Sequence, residues 1–180
     1  MSVGIKVKFM NVKNNNRRKA SVDKIEKAFM QLLETKDIKD ITVSDICKIC
    51  ELNRSTFYSN FLDIYDLADK LCVKIEKDFS EIFTDESDRE KNGALKMFTH
   101  IKENQLLYKT YFKLDYDKKH PVMIYDTQRA EKDFDNKHIK YHIEFFRGGI
   151  NAIIKLWLNN GCKETPKEME EILKREYKGR

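Results

Sequence analysis

Thr42-Val43-Ser44-Asp45-Ile46-Cys47-Lys48-Ile49-Cys50-Glu51-Leu52-Asn53-Arg54-Ser55-Thr56-Phe57-Tyr58-Ser59-Asn60-Phe61 is the stretch whose reading decides the fold. Thr42 stands three residues before Asp45, the spacing of a capping box, in which a hydroxyl and a carboxylate satisfy each other's free backbone N–H groups. Val43, Ile46, Ile49 and Cys50 then fall on one helical face, so a short helix follows. Glu51-Leu52 breaks it, and Asn53 is a good N-cap for a second short helix through Asn60, with Phe57 and Phe61 four apart. Helices of about two turns are marginal by themselves, so longer neighbours must brace them.

Those neighbours are visible on both sides. Upstream, Val22, Ile25, Ala28, Phe29, Leu32 and Leu33 mark an amphipathic helix of about three turns ending near Lys36. Downstream, Asp63 caps a long helix whose stripe runs through Ile64, Leu67, Ala68, Leu71, Cys72, Ile75, Phe79, Ile82 and Phe83. A polar gap, Thr84 to Asp88, precedes a second group of helices, one around Ala94, Leu95, Phe98 and Ile101 and another over Leu106 to Phe112. Pro121 is placed to open a third, because proline is tolerated in a first turn. A long apolar helix carries Ile139, Ile143, Phe146, Ile150, Ile153, Ile154, Trp157 and Leu158, and Asn160-Gly161 is suited to a left-handed cap. Thr165-Pro166-Lys167-Glu168 reads as a second capping box, opening a last helix with Met169, Ile172, Leu173 and Tyr177. Only Val3, Ile5, Val7 and Phe9 alternate like a strand, and no second strand is there to pair with them, so they read as a loose tail. The expected fold is all-α with about nine helices.

The 180 residues are 36% charged and 41% hydrophobic, a globular composition without a run long enough to cross a bilayer. The net charge of +5 is unevenly placed: Lys6, Lys8, Lys13, Arg17, Arg18 and Lys19 all precede the first acid, Asp23. A near-neutral body thus carries a basic arm, which suits nucleic acid, an anionic surface or mere solubility. Residues 1–9 lack a signal peptide's apolar region, so a cytoplasmic protein is expected. Four irregularly spaced cysteines make no disulfide framework, and Cys47 and Cys50 read as small buried side chains. His138 and His142 lack a third ligand, and no phosphate loop, nucleophile elbow or zinc-protease motif appears. Neither a metal nor a cofactor is expected, and the chain does not read as an enzyme.

Two short helices joined by a tight turn have the shape of a helix-turn-helix, whose second helix enters the major groove. Arg54, Ser55, Thr56, Tyr58, Ser59 and Asn60 present the groups that touch bases and phosphates, although the same residues also suit a solvated polar face. Residues 19–79 resemble the DNA-binding domain of the TetR family of transcriptional regulators. The likeness lies in Ile41-Thr42-Val43-Ser44-Asp45-Ile46, in Asn53 through Phe61, and in Tyr65-Asp66-Leu67. It implies a three-helix reading head on an all-α homodimer, with Thr42, Arg54, Ser55, Thr56, Tyr58, Ser59, Asn60 and Tyr65 at or beside positions that contact DNA. Two departures concern the motif itself: Cys50-Glu51 replaces the Ala-Gly often found in the turn, and Ile64 replaces a phosphate-binding lysine. Residues 41–62 are moreover neutral, Lys48 and Arg54 balancing Asp45 and Glu51. Arg17, Arg18 and Lys19, just before the first helix, are the obvious place for the missing electrostatic affinity.

Residues 138–177 resemble the C-terminal domains of the dihydroxyacetone kinase regulator-like branch of that family. This implies a dimer interface built from the last two helices, for which Phe146, Gly149, Ile150, Ile153, Trp157 and Ile172 are candidates. Gly148-Gly149 in mid-helix suits the close approach of a partner helix or room for a ligand. Tyr108, Tyr111, Phe112, Tyr125 and Phe145 are candidates for an effector pocket. The expected organisation is a flexible basic arm over 1–18, a DNA-binding domain over 19–79 with the helix-turn-helix at 42–61, and an effector and dimerisation domain over 80–180. The expected function is a homodimeric repressor released from a palindromic double-stranded DNA operator by an unknown effector, small molecule or protein. The alternative is an activator or an interaction module signalled through a protein partner.

Overall fold

Periodicity and caps assemble an all-helical chain. The computed structural model describes residues 3–82, 86–119 and 137–178, with side chains over 15–81, 92–118 and 137–176. Nine α-helices occur among the described residues: α1 (Val3–Leu33), α2 (Val43–Cys50), α3 (Arg54–Tyr58), α4 (Ile64–Ile82), α5 (Glu86–Glu103), α6 (Gln105–Lys113), α7 (Tyr116–Lys119), α8 (Ile139–Asn159) and α9 (Pro166–Lys178), with a 3-10 turn at Ile38–Asp40. No helix among the described residues is long and apolar enough to cross a membrane. The helix expected to open at Pro121, and Tyr125 with it, lies outside the described residues.

The chain divides into two compact units, Met1–Leu71 and Cys72–Arg180. In the first, Ile25, Phe29 and Leu33 of α1, Ile46 of α2, Phe57 of α3 and Leu67 and Leu71 of α4 are fully buried together with Ile41 and Phe61. α1 packs along α2 and α2 against α3, so the two short helices gain the bracing their length demands. In the second, Phe98, Ile101, Ile154 and Trp157 form the centre, with α5 lying on α9 and α6 on α8. Trp157 meets Phe98 edge to face, with ring centroids 5.5 Å apart, and its indole N–H donates to the Glu164 carbonyl at 3.3 Å.

Several boundaries differ from expectation, among them these. α1 begins at Val3, where a flexible arm was expected: residues 5–33 hold neither glycine nor proline, and the strand-like alternation has no partner, so nothing halts the helical ladder. α3 stops at Tyr58, two residues before Asn60, as the chain turns toward α4. α5 starts at Glu86, inside the expected polar gap.

Candidate nucleic-acid interface

α2 is set by its capping box. The Asp45 N–H donates to Thr42 Oγ1 and the Thr42 N–H to Asp45 Oδ2, both at 3.1 Å. Those bonds, the Thr42 backbone N–H foremost, hold the Asp45 carboxyl below the usual carboxylate range, with Lys36 adding a contact at 3.4 Å. The helix ends on Glu51 in the left-handed region (φ 56°), and the Leu52 N–H returns to the Cys47 carbonyl at 3.1 Å. That turn aims the chain into α3. Cys47 and Cys50 are buried free thiols, and burial pushes the Cys47 thiol up, so both serve as packing. Asn53 occupies the N-cap position of α3 but makes no side-chain cap bond.

Phe57 is the anchor of α3, fully buried against Phe61, with Tyr58 edge-on to it. Its burial points the remaining residues outward. Arg54 and Ser55 are exposed, Thr56 is half-buried and Tyr58 is 57% exposed. The Arg54 guanidinium donates to Ser44 Oγ of α2, bracing the one cation of the α3 face across the motif. Tyr65, in the first turn of α4, is also exposed, and Ile64 before it is half-buried. Asp63 caps α4, accepting from the Asp66 N–H at 2.8 Å.

Two of the expected contact residues have other work. The Thr42 hydroxyl is a helix cap, and Ser59 Oγ donates to the Thr56 carbonyl at 2.8 Å. Asn60 and Arg18 are brought together, Arg18 Nε donating to Asn60 Oδ1 at 2.9 Å across 42 positions of sequence. Arg17 and Lys19 are exposed beside Arg18 on α1. Sequence reasoning missed Lys70, which donates to the Asn60 carbonyl at 3.0 Å and to Asp66 Oδ2 at 2.8 Å, and lies over the Phe61 ring. The four-residue spacing of Asp66 and Lys70 was the available signal.

In the second unit the aromatic candidates separate. Tyr108 and Tyr111 are core residues, and burial pushes the Tyr108 phenol well up. Phe112 is half-buried under Lys155, whose ammonium lies 5.0 Å from the ring centre and 2.8 Å from buried Asp117. Phe145 is 69% exposed and therefore belongs to the surface rather than to an enclosed pocket. Of the interface candidates, Ile150 and Trp157 are buried within their own chain, Phe146 and Ile153 are half-buried, and Gly149 and Ile172 are exposed. A different row on α8 is open: Tyr141 (77%), Phe145, Gly148, Gly149, Ala152 and Leu156 (63%) recur at three- and four-residue steps. Tyr141 and Leu156 were missed because the sequence marked only the dominant apolar stripe, which turns inward. No group of three or more potential metal ligands occurs among the described residues.

The comparisons agree with this architecture. Residues 88–178 match the TetR-type family described as "Transcriptional regulator C-terminal region". The "HTH-type dhaKLM operon transcriptional activator DhaS" of Lactococcus lactis subsp. lactis (strain IL1403) is 32% identical over 102 residues, 56% of this chain and 53% of that relative. The matched part thus spans about half the length of the curated relative. Two solved structures share the fold. "Dihydroxyacetone kinase operon activator DhaS" is 23% identical with a TM-score of 0.53, over 88% of this chain and 96% of the other. A TetR transcriptional regulator from Streptococcus agalactiae 2603V is 21% identical with a TM-score of 0.61, over 91% and 96%. The matched family and relative are transcription regulators, not enzymes. With half of its length matched by that family's model, the chain belongs to the TetR family of transcriptional regulators.

Proposed function

We propose that this regulator is a homodimer that binds a palindromic double-stranded DNA operator through α3, with residues 19–79 as its DNA-binding part and the remainder as its effector and dimerisation part. The observation that carries the reading is α3 itself. Its apolar side is fixed by buried Phe57, while Arg54, Ser55 and Tyr58 stand exposed beside a capped α2. Arg54 is the base reader, suited to a guanine edge, and the tyrosine hydroxyls at 58 and 65 take phosphates. The exposed row on α8 supports pairing of two copies, as does Ile172 on α9. Such a protein works in the cytoplasm, where its operator is.

Repression is the default mode: an effector, small molecule or protein, that respaces the two reading heads releases the operator, and operator and effector then weaken each other's binding equally. A second reading is activation, favoured by the relative named as an operon activator. A reporter fused to the flanking promoter, with and without the protein, separates them by the sign of the change. The binding itself is tested by mobility shift on DNA flanking the gene, repeated across salt. Specific retardation is expected, and its absence on every flanking fragment would leave only an interaction module. Arg54→Ala is expected to cost about 1–3 kcal/mol and to relax the preference for one base.

A further inference from the structure

We infer that Asn60 is a positioning residue rather than a base reader, and that it holds Arg18 in place as the phosphate contact that this reading head lacks at Ile64. The inference rests on the DNA-binding reading above.

A side-chain amide reads adenine by giving an N–H and taking one at the same edge, so both of its ends must be available. In Asn60 the donor end is not: both N–H groups of Nδ2 are taken, and Oδ1 already accepts one bond. Its Oδ1 accepts from Arg18 Nε at 2.9 Å, and its Nδ2 donates to the Thr56 carbonyl at 2.8 Å and to Ser59 Oγ at 3.2 Å. Its backbone carbonyl accepts from Lys70 Nζ at 3.0 Å. Asn60 therefore ties α1, the end of α3 and α4 together within one unit.

Arg18 is in the opposite condition. A guanidinium carries five N–H donors in one plane, and Asn60 takes only the Nε one, leaving both Nη groups. Arg18 is exposed on α1, and its side chain makes no other hydrogen bond among the described residues. Pinned along one edge, it is pre-organised to meet a phosphate with the edge formed by the two Nη groups. Apart from Arg17 and Lys19 beside it on α1, the same end of the motif is poor in available positive charge. Ile64 is apolar, and Lys70 is spent on Asp66, the Asn60 carbonyl and the Phe61 ring.

The test uses full-length protein and a duplex selected by it from random sequence, with affinities measured by fluorescence anisotropy across a salt series. Arg18→Gln keeps an N–H for Asn60 and removes the charge, so the fold stands and the log-log salt slope should become shallower by about 0.9, one phosphate contact. Asn60→Ala should weaken binding about 5-fold or more while selecting the same sequence at every position, with urea unfolding confirming that it is folded. The double variant should bind within about 2-fold of the weaker single one, as expected of two residues acting as one unit. An unchanged slope in Arg18→Gln, lost preference at one base in Asn60→Ala, or effects that simply multiply would each overturn the inference alone. If the wild-type protein selects no sequence, the DNA-binding reading falls and the inference falls with it.

Discussion

Glu51 stands at a position where a residue's own conformational cost is exposed. With φ at 56° and ψ at 39°, it occupies a region that places Cβ against the following carbonyl, at a cost of about 1–2 kcal/mol for an L-residue. The sequence already shows a turn built without glycine. The coordinates add that the turn keeps its left-handed geometry and Glu51 takes the strain. Glu51→Gly removes that strain and returns part of the gain as unfolded-chain entropy, so a net stabilisation of about 0.5–1 kcal/mol is expected in urea unfolding. A loss of stability would mean that the Glu51 side chain makes an interaction worth more than the strain. Asn60 teaches the complementary lesson. Its amide is legible as a DNA-type group, but a partner 42 positions away in sequence decides whether that amide is available.

At the level of elements, legibility followed the local chemistry. Thr42 with Asp45, Asp63 with Asp66, and Thr165 with Glu168 all make the cap bonds their spacing implies, and Gly161 takes the left-handed end of α8 (φ 74°). Ends that no side chain marks were missed, such as the start of α1 and the last turn of α3. The caps also set an acid limit. Asp45, Asp66 and Glu168 all have carboxyls held below their ordinary values of 3.8, 3.8 and 4.5, by donors at Thr42, by Lys70 and the Leu62 N–H, and by Thr165. A carboxyl depressed by folding contributes stability that is full above its unfolded value and is lost as pH falls through the folded one. Stability should therefore decline below about pH 4. In Asp45→Asn, part of that decline should vanish while stability at neutral pH falls, as followed by urea midpoints at pH 6 and pH 3. Equal acid sensitivity in both proteins would show that the α2 cap is not among the groups responsible.

Over the whole molecule, what the sequence withheld is which apolar surface a helix spends within its own chain. α8 reads as one long hydrophobic helix, yet Ile150, Ile154, Trp157 and Leu158 are spent inward and the row from Tyr141 to Leu156 faces out. Gly148 and Gly149 sit in that outward row, and a Cβ added at either meets nothing within 4 Å among the described residues. Packing among the described residues thus gives no reason for two glycines that cost about 1 kcal/mol each relative to alanine in mid-helix. A partner helix approaching closely over them does give one. The double substitution Gly148→Ala, Gly149→Ala accordingly separates two effects that most interface variants mix. At concentrations where the chain is monomeric it should raise the unfolding midpoint, because α8 itself becomes the better helix. In sedimentation equilibrium it should raise the dimer dissociation constant by about 10-fold or more, because two methyl groups then hold the helices apart. Stabilisation with unchanged self-association would move the contact between copies off this face of α8, whereas loss on both counts would mean that the glycines serve the fold of a single chain.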